Sequence, residues 1–281
     1  MSHPQWNWTS RDGWLLYAQA WQPEGEARSA VCLVHGLGEH SGRYGHVAAA
    51  LNRAGHALLA VDLRGHGRST GRRGHIPSLE AVLDDIDLLL EEASRRFPGR
   101  PRFLYGHSMG GLFVLYYALR RRPSLSGVIA TGSALRTPLA DQKVKVTLAR
   151  LLSRLLPALT LPSGLDPTTI SRDPAVVQAY RNDPLVHDRI SLRLAGEMLR
   201  ASRWVMEHAA EFPLPLLLIH GGADRLTLPE GSRELAARVG NRCTLKIWEG
   251  LYHEVHNEPE QGEVLADILS WMEERLKVER L

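Results

Sequence analysis

Residues 106–110 read Gly-His-Ser-Met-Gly, between a short apolar run, Arg102–Tyr105, and a helix-like stretch, residues 111–119. A G-x-S-x-G pentapeptide joining a strand to a helix admits few backbones. The serine at the tip of so sharp a turn takes a strained conformation that lifts its oxygen clear of the sheet. The flanking positions then approach neighbouring backbone so closely that only glycine fits. The pentapeptide alone is a weak signal, since an ordinary strand-to-helix turn can carry it by chance. Ser108 is nevertheless the candidate nucleophile, and it commits the chain to a sheet with a helix crossing over it.

A nucleophilic serine at such a turn needs a base and an acid, each placed after a later strand. Pro215–Ile219 is a continuous apolar run of buried-strand type, followed by His-Gly-Gly-Ala-Asp224. Cys243–Trp248 is a second strand, followed by Glu-Gly-Leu-Tyr-His253. Asp224 and His253 therefore fall past the carboxyl ends of two strands, where open α/β sheets carry their sites. The chain has 13 histidines, so order and strand context single out His253. Asp62 also ends a strand, His56–Val61, but precedes the serine, whereas the acid of such a site follows it. The early strand Ala30–Val34 runs into His35-Gly-Leu-Gly38. Glycines there allow a backbone N–H to face a carbonyl oxygen under attack. The backbone amides of Leu37 and Met109 are the expected oxyanion donors.

These motifs carry a family resemblance. Residues 35–44, His-Gly-Leu-Gly-Glu-His-Ser-Gly-Arg-Tyr, resemble the H-G-x-G-E-H-S-G-R-Y signature of the monoacylglycerol lipase family. Asp62–Ser69, Gly106–Gly111, Tyr180–Leu185, His220–Asp224 and Glu249–His253 are similar to further segments of that family. The likeness runs from about residue 10 to about residue 275. It implies an α/β-hydrolase fold, a mostly parallel central sheet with helices on both faces and an inserted helical cap. It implies a serine esterase that cleaves monoacylglycerol to fatty acid and glycerol through an acyl-enzyme, without metal, nucleotide or flavin. It also places Glu39, Arg43 and Tyr180 near the glycerol end of the site. Read from the residues alone, Glu39 and Arg43 equally suit an ion pair bracing their loop, and the Tyr180 hydroxyl equally suits bracing the cap. Broad carboxylesterases and lysophospholipases share the sequence type. A non-catalytic binding protein on the same fold is the other class, and such proteins often lose triad members or oxyanion glycines. An aminopeptidase would need an acidic pocket for a free amine, and no such pocket is identifiable from sequence. Dehalogenases and epoxide hydrolases place aspartate where Ser108 stands.

Strands alternate with helices along most of the chain, as in a parallel sheet covered on both faces. Residues 5–22 alternate around Ser10–Gly13 as an edge hairpin, and residues 79–97 form an amphipathic helix. The rhythm breaks over 134–213, about three times the length of an ordinary crossover. That stretch lacks strong strand candidates and carries Pro138, Pro157, Pro162, Pro167, Pro174 and Pro184. It is read as the cap, with 1–133 and 214–281 forming the body. Val144, Leu148, Leu151, Leu152, Leu155, Leu156 and Leu159 recur at helical spacing. The stripe packs the cap on the body or, through Leu148 and Leu152, lines an acyl channel and meets lipid.

Composition excludes several classes. Of 281 residues, 44% are hydrophobic and 23% charged, as in a globule with a large core. A net charge of +3 is small and dispersed and does not imply nucleic acid. The two cysteines, Cys32 and Cys243, fall in apolar strands and are read as core residues. No signal peptide or membrane span is visible, and the expectation is a cytoplasmic protein whose cap touches membrane surfaces transiently. Nothing in the sequence bears on oligomeric state.

Overall fold

The computed structural model describes residues 2–138 and 155–278. Its strands are β1 (Gln5–Thr9), β2 (Leu15–Trp21), β3 (Ser29–Val34), β4 (His56–Val61), β5 (Arg102–His107), β6 (Gly127–Thr131), β7 (Thr160–Pro162), β8 (Arg189–Ser191), β9 (Leu216–Gly221) and β10 (Cys243–Trp248). Its α-helices are α1 (Gly45–Arg53), α2 (Leu79–Arg96), α3 (Met109–Arg121), α4 (Pro174–Asn182), α5 (Leu192–Glu207), α6 (Pro229–Val239) and α7 (Gln261–Val278).

Among the described residues, eight strands form one sheet in the order β1-β2-β4-β3-β5-β6-β9-β10. Only β2 runs against the others, pairing antiparallel with β1 and β4, so the hairpin at residues 5–22 caps one edge of a parallel sheet. Strands β3, β4, β5, β6 and β9 are buried and mainly apolar because both faces of the sheet are covered there. The pleat divides them. Ala30, Cys32 and Val34 face one core with α2, α3 and α5, while Val31 and Leu33 face the other with α1 and α7. Helix α2 starts where Ser78 Oγ accepts from the Ala81 amide at 3.1 Å, and ends with Arg95 and Arg96, which suit the helix dipole. Cys32 is buried as expected. Cys243 is only half-buried, because β10 is an edge strand whose residues are all partly exposed.

The chain leaves β3 for β4 on one side and returns to β5 on the other. The reversal makes a crevice at the carboxyl ends of β3 and β5, where open α/β sheets bind ligands. Both the His35–Gly38 turn and Ser108 emerge there.

The insertion between β6 and β9 is not purely helical. β7 and β8 pair antiparallel, with Leu161 opposite Ile190, strands too short to leave a periodic signature. Leu194, Ala201 and Val205 of α5 join the core cluster that holds α3, so this part of the 134–213 stretch packs on the body. The segment before α5 is fastened to the body by polar contacts. His40 Nε2 meets Asp183 Oδ2 at 2.8 Å, the His187 amide donates to the Gly38 carbonyl at 2.9 Å, and the Ser191 amide donates to the Gly74 carbonyl at 2.8 Å. Leu148 and Leu152, with the stripe from Val144 to Leu152, lie outside the described residues. Leu155, Leu156 and Leu159 are exposed.

Candidate active site

Ser108 sits between β5 and α3 at φ 55°, ψ −116°, one of two non-glycine residues with positive φ among those described. Two close approaches force its neighbours to be glycine. A Cβ on Gly106 would stand 2.3 Å from the Gly110 carbonyl oxygen, and one on Gly110 would stand 2.1 Å from the Val34 oxygen. The strain is held by tertiary contacts, since the Ser108 amide donates to Thr131 O and its carbonyl accepts from the Leu112 and Ala134 amides. The side chain remains half-exposed in the crevice.

His253 Nε2 lies 2.9 Å from Ser108 Oγ, and His253 Nδ1 lies 2.7 Å from Asp224 Oδ2. The carboxylate can only accept, so Nδ1 carries the proton and Nε2 faces the serine as an acceptor. Both His253 and Asp224 are buried. Burial alone would raise the Asp224 pKa, but the charge of His253 and hydrogen bonds from His220 and His253 carry it far below the carboxylate range. Burial pulls His253 down, and Asp224, with Glu254 and Glu39 behind it, more than reverses this, so its pKa lies above the usual histidine value. Burial and the neighbouring His253 push His107 down to about 4, so it stays a neutral wall whose ring centroid is 4.8 Å from that of His253.

The His35–Gly38 turn lies against the nucleophile. A Cβ on Gly36 would stand 3.2 Å from Ser108 Cβ. Leu37 follows directly, and Met109 is the first residue of α3, where helical amides have no intrahelical acceptor. Glu39 braces the turn. Its Oε1 accepts from the Gly36 amide at 2.6 Å and from the Tyr44 hydroxyl at 2.7 Å, and its Oε2 accepts from Arg43 at 2.8 Å. Arg43 in turn makes a bidentate pair with Glu254 at 2.6 and 2.7 Å. Its guanidinium also lies 4.8 Å from the centre of the Tyr180 ring, above its face. Glu39, Arg43 and Tyr180 therefore converge beside the His35–Gly38 turn, with the charges of Glu39 and Arg43 already paired. Asp62 is committed elsewhere, accepting from Ser41 N and Oγ and from the Arg68 amide.

Residues 25–260 match the serine aminopeptidase S33 family. Over 262 residues the chain is 40% identical to the monoacylglycerol lipase of Mycolicibacterium smegmatis, covering 92% of this chain and 93% of that protein.

The chain belongs to the monoacylglycerol lipase family.

It is also 41% identical over 274 residues to an abhydrolase domain-containing protein of Dictyostelium discoideum, covering 96% of this chain but only 29% of that longer relative. The crystal structure of the Paleococcus ferrophilus monoacylglycerol lipase superposes with a TM-score of 0.84 at 41% identity, covering 92% of this chain and 99% of that one. The fold is that of the α/β-hydrolases, as the sequence resemblance implied.

Beside the turn, this member of the monoacylglycerol lipase family has a mainly apolar cavity of about 380 Å³, bounded by Leu37, Leu135, Leu165, Ile190, Met198 and Leu226. The size is ordinary for a small-ligand pocket. Leu37 of the His35–Gly38 turn is therefore also part of the cavity wall. The positions of Leu148 and Leu152 relative to it fall outside the described residues. Sequence reasoning passed over three neighbours of the triad. Glu254 carried a signal in its adjacency to His253, and His220 in its i, i+4 relation to Asp224. Thr227, whose amide and hydroxyl both reach Asp224, carried none.

Proposed function

We propose that the protein hydrolyses monoacylglycerols, with Ser108, His253 and Asp224 as its triad. The observation that carries this reading is the unbroken series Asp224–His253–Ser108 at 2.7 and 2.9 Å beneath the His35–Gly38 turn. Ser108 Oγ attacks the ester carbonyl while His253 Nε2 takes its proton. The carbonyl oxygen, now negative, accepts from the Leu37 and Met109 amides, each such donor typically worth a few kcal/mol in the transition state. His253 returns the proton to the departing glycerol oxygen, leaving an acyl-Ser108 ester. Water, deprotonated by the same imidazole, attacks that ester and frees the fatty acid and Ser108. No step needs a cofactor.

The apolar cavity beside Leu37 receives the acyl chain, where each methylene buried adds about 0.8 kcal/mol of binding. Glu39, Arg43 and Tyr180 form the polar wall at the glycerol end. The 134–213 stretch acts as the cap. Leu155, Leu156, Leu159, Leu161 and Leu165 are exposed within eleven residues of it, which suits transient contact with a lipid surface. Among the described residues no helix is long and apolar enough to cross a membrane. A peptidase reading, suggested by the name of the matching family, finds no support in the charges. Glu39 and Glu254 are both paired with Arg43 and offer no free carboxylate to a substrate amine.

A series of 1-monoacylglycerols of increasing chain length, run beside triacylglycerol, lysophospholipid and p-nitrophenyl esters on wild type and Ser108→Ala, tests the proposal. Preference for monoacylglycerol that disappears in Ser108→Ala is expected. Equal or faster turnover of triacylglycerol, or activity that survives in Ser108→Ala, overturns it.

A further inference from the structure

The Asp224 carboxylate is held by two imidazoles, and the mechanism above uses only one. His220 is the fifth residue of β9. The pleat sends Leu217 and Ile219 to one core and Leu216, Leu218 and His220 to the other, where α6 packs with Leu235 and Val239. Ser232, one turn before Leu235, meets the ring there, with its Oγ 2.7 Å from His220 Nδ1. The other nitrogen, Nε2, lies 3.1 Å from Asp224 Oδ2 and 3.0 Å from the Thr227 carbonyl oxygen. Both are acceptors, so Nε2 carries the ring proton, and Nδ1 accepts from the Ser232 hydroxyl. The two acceptors at Nε2 fix the tautomer of a ring that donates to the acid, and the Ser232 hydroxyl on α6 satisfies the nitrogen left over.

The remaining donors show why this matters. Oδ1 is occupied by the Leu226 and Thr227 amides at 2.8 and 3.0 Å. Among the described residues Oδ2, the oxygen that meets His253, has only side-chain partners. Thr227 Oγ1 and His220 Nε2 each bring one proton toward it, and each also has a carbonyl oxygen in reach, Gly132 O at 2.9 Å for the hydroxyl and Thr227 O at 3.0 Å for the ring, so neither donor holds it alone. His220 is fully buried and cannot touch a substrate.

We propose that His220 is a positioning residue for the acid. Its Nε2–H, on a ring braced at Nδ1 by Ser232, holds Asp224 Oδ2 where His253 Nδ1 needs it. The role is indirect, and it rests on the triad reading. It sets the orientation of the His253 ring and offsets part of the carboxylate charge that the ring feels. No proton is transferred through it.

The test measures turnover of a short soluble ester, p-nitrophenyl butyrate, so that it does not depend on the lipid assignment. Rates are taken per active site titrated with a fluorophosphonate, from pH 5 to pH 9, for wild type, His220→Leu, His220→Gln and Ser232→Ala, and per mole of protein for Ser108→Ala, which has no hydroxyl to label. A hydrogen bond to a charged group sets the scale. His220→Leu lowers kcat about tenfold to a hundredfold, with KM little changed. Its acid limb moves to higher pH, because the less neutralised carboxylate favours the His253 imidazolium. His220→Gln keeps an N–H donor and recovers most of the rate and the wild-type limb. Ser232→Ala keeps the ring and nearly the volume but leaves Nδ1 without its partner and the ring less firmly held, and gives a smaller loss of kcat at unchanged KM. The proposal fails if His220→Leu and Ser232→Ala match wild type per titrated site, or if His220→Gln is as impaired as His220→Leu. If His220→Leu does not fold, the decision falls to Ser232→Ala and His220→Gln. Turnover surviving in Ser108→Ala would instead remove the triad reading beneath the proposal.

Discussion

Replacing Arg43 by methionine separates two roles that this residue type can play beside the His35–Gly38 turn. Its guanidinium is the shared cation of two buried carboxylates. The side chain is 10% exposed, those of Glu39 and Glu254 are 3% and 4% exposed, and three contacts between 2.6 and 2.8 Å join them. Methionine fills much of the volume but leaves both carboxylates without their cation. Removing one partner of a single buried pair typically costs about 3–5 kcal/mol. Part of the second carboxylate's cost is met by neighbours that stay, the Gly36 amide and Tyr44 hydroxyl on Glu39 and the Asn257 amide on Glu254. We therefore expect a loss near that range, which for a domain of this size lowers Tm by roughly ten degrees. A further signature is its pH dependence. In the wild type, burial raises the Glu39 pKa but Arg43 outweighs it and holds the group at about 2. A depressed carboxylate contributes stability above its unfolded value near 4.5 and loses it as pH falls toward 2. In Arg43→Met the cation is gone and burial dominates, so the carboxylate resists ionisation. The Tm difference between the two proteins should be widest near pH 7 and should narrow below about pH 5, where protonation removes the stranded charges. Calorimetry at pH 4.5, 6 and 7.5, with kcat and KM measured in parallel, checks this. A Tm change under two degrees at every pH, joined to a large rise in KM alone, would refute the bracing argument and leave Arg43 as a substrate contact.

Ser108→Gly should abolish fluorophosphonate labelling yet raise Tm by a few degrees, because glycine releases the cost of positive φ, on the order of 1 kcal/mol; an unchanged or lower Tm would mean that the elbow holds no such strain. Activity on p-nitrophenyl butyrate should climb with pH as the His253 imidazolium loses its proton. Its pKa is raised above the ordinary histidine value, so the acid limb should lie above about 6.5; a midpoint at or below that would contradict the electrostatics. Aspartate at Leu155 and Leu161 together should reduce binding to phospholipid vesicles severalfold while leaving turnover of a short soluble ester unchanged; equal binding would remove the exposed leucines from the lipid contact.

How much of this could be read before the coordinates depends on the range over which each feature acts. The buried strands were legible nearly to the residue. Among them His56–Val61 matches its expected bounds and Leu216–Gly221 is displaced by one or two residues, and the half-exposed edge strand Cys243–Trp248 also matches. A strand covered on both faces is an uninterrupted apolar run, and its end is marked by the glycines and polar residues of the loop beyond. The triad candidates were legible for the same reason, as each lies just past such a run. The β7–β8 ribbon was not, because three residues form no period. Nor were the supports of the site. Arg43 and Glu254 are 211 positions apart, and Thr227 meets Gly132 and Asp224 only once the loops after β6 and β9 are adjacent. His220 marks the boundary between the two kinds of feature. Its alternation along β9 says that it points into a core, and an imidazole in an apolar core needs partners. The sequence thus poses the question of what satisfies the ring. Only the packing of α6 against β9 and the loop after β9 answer it, with Ser232 on one nitrogen and Asp224 on the other. A buried polar side chain four residues from a candidate acid is then a reason to look for a support behind the site, because its desolvation cost must be met by a partner within hydrogen-bonding reach.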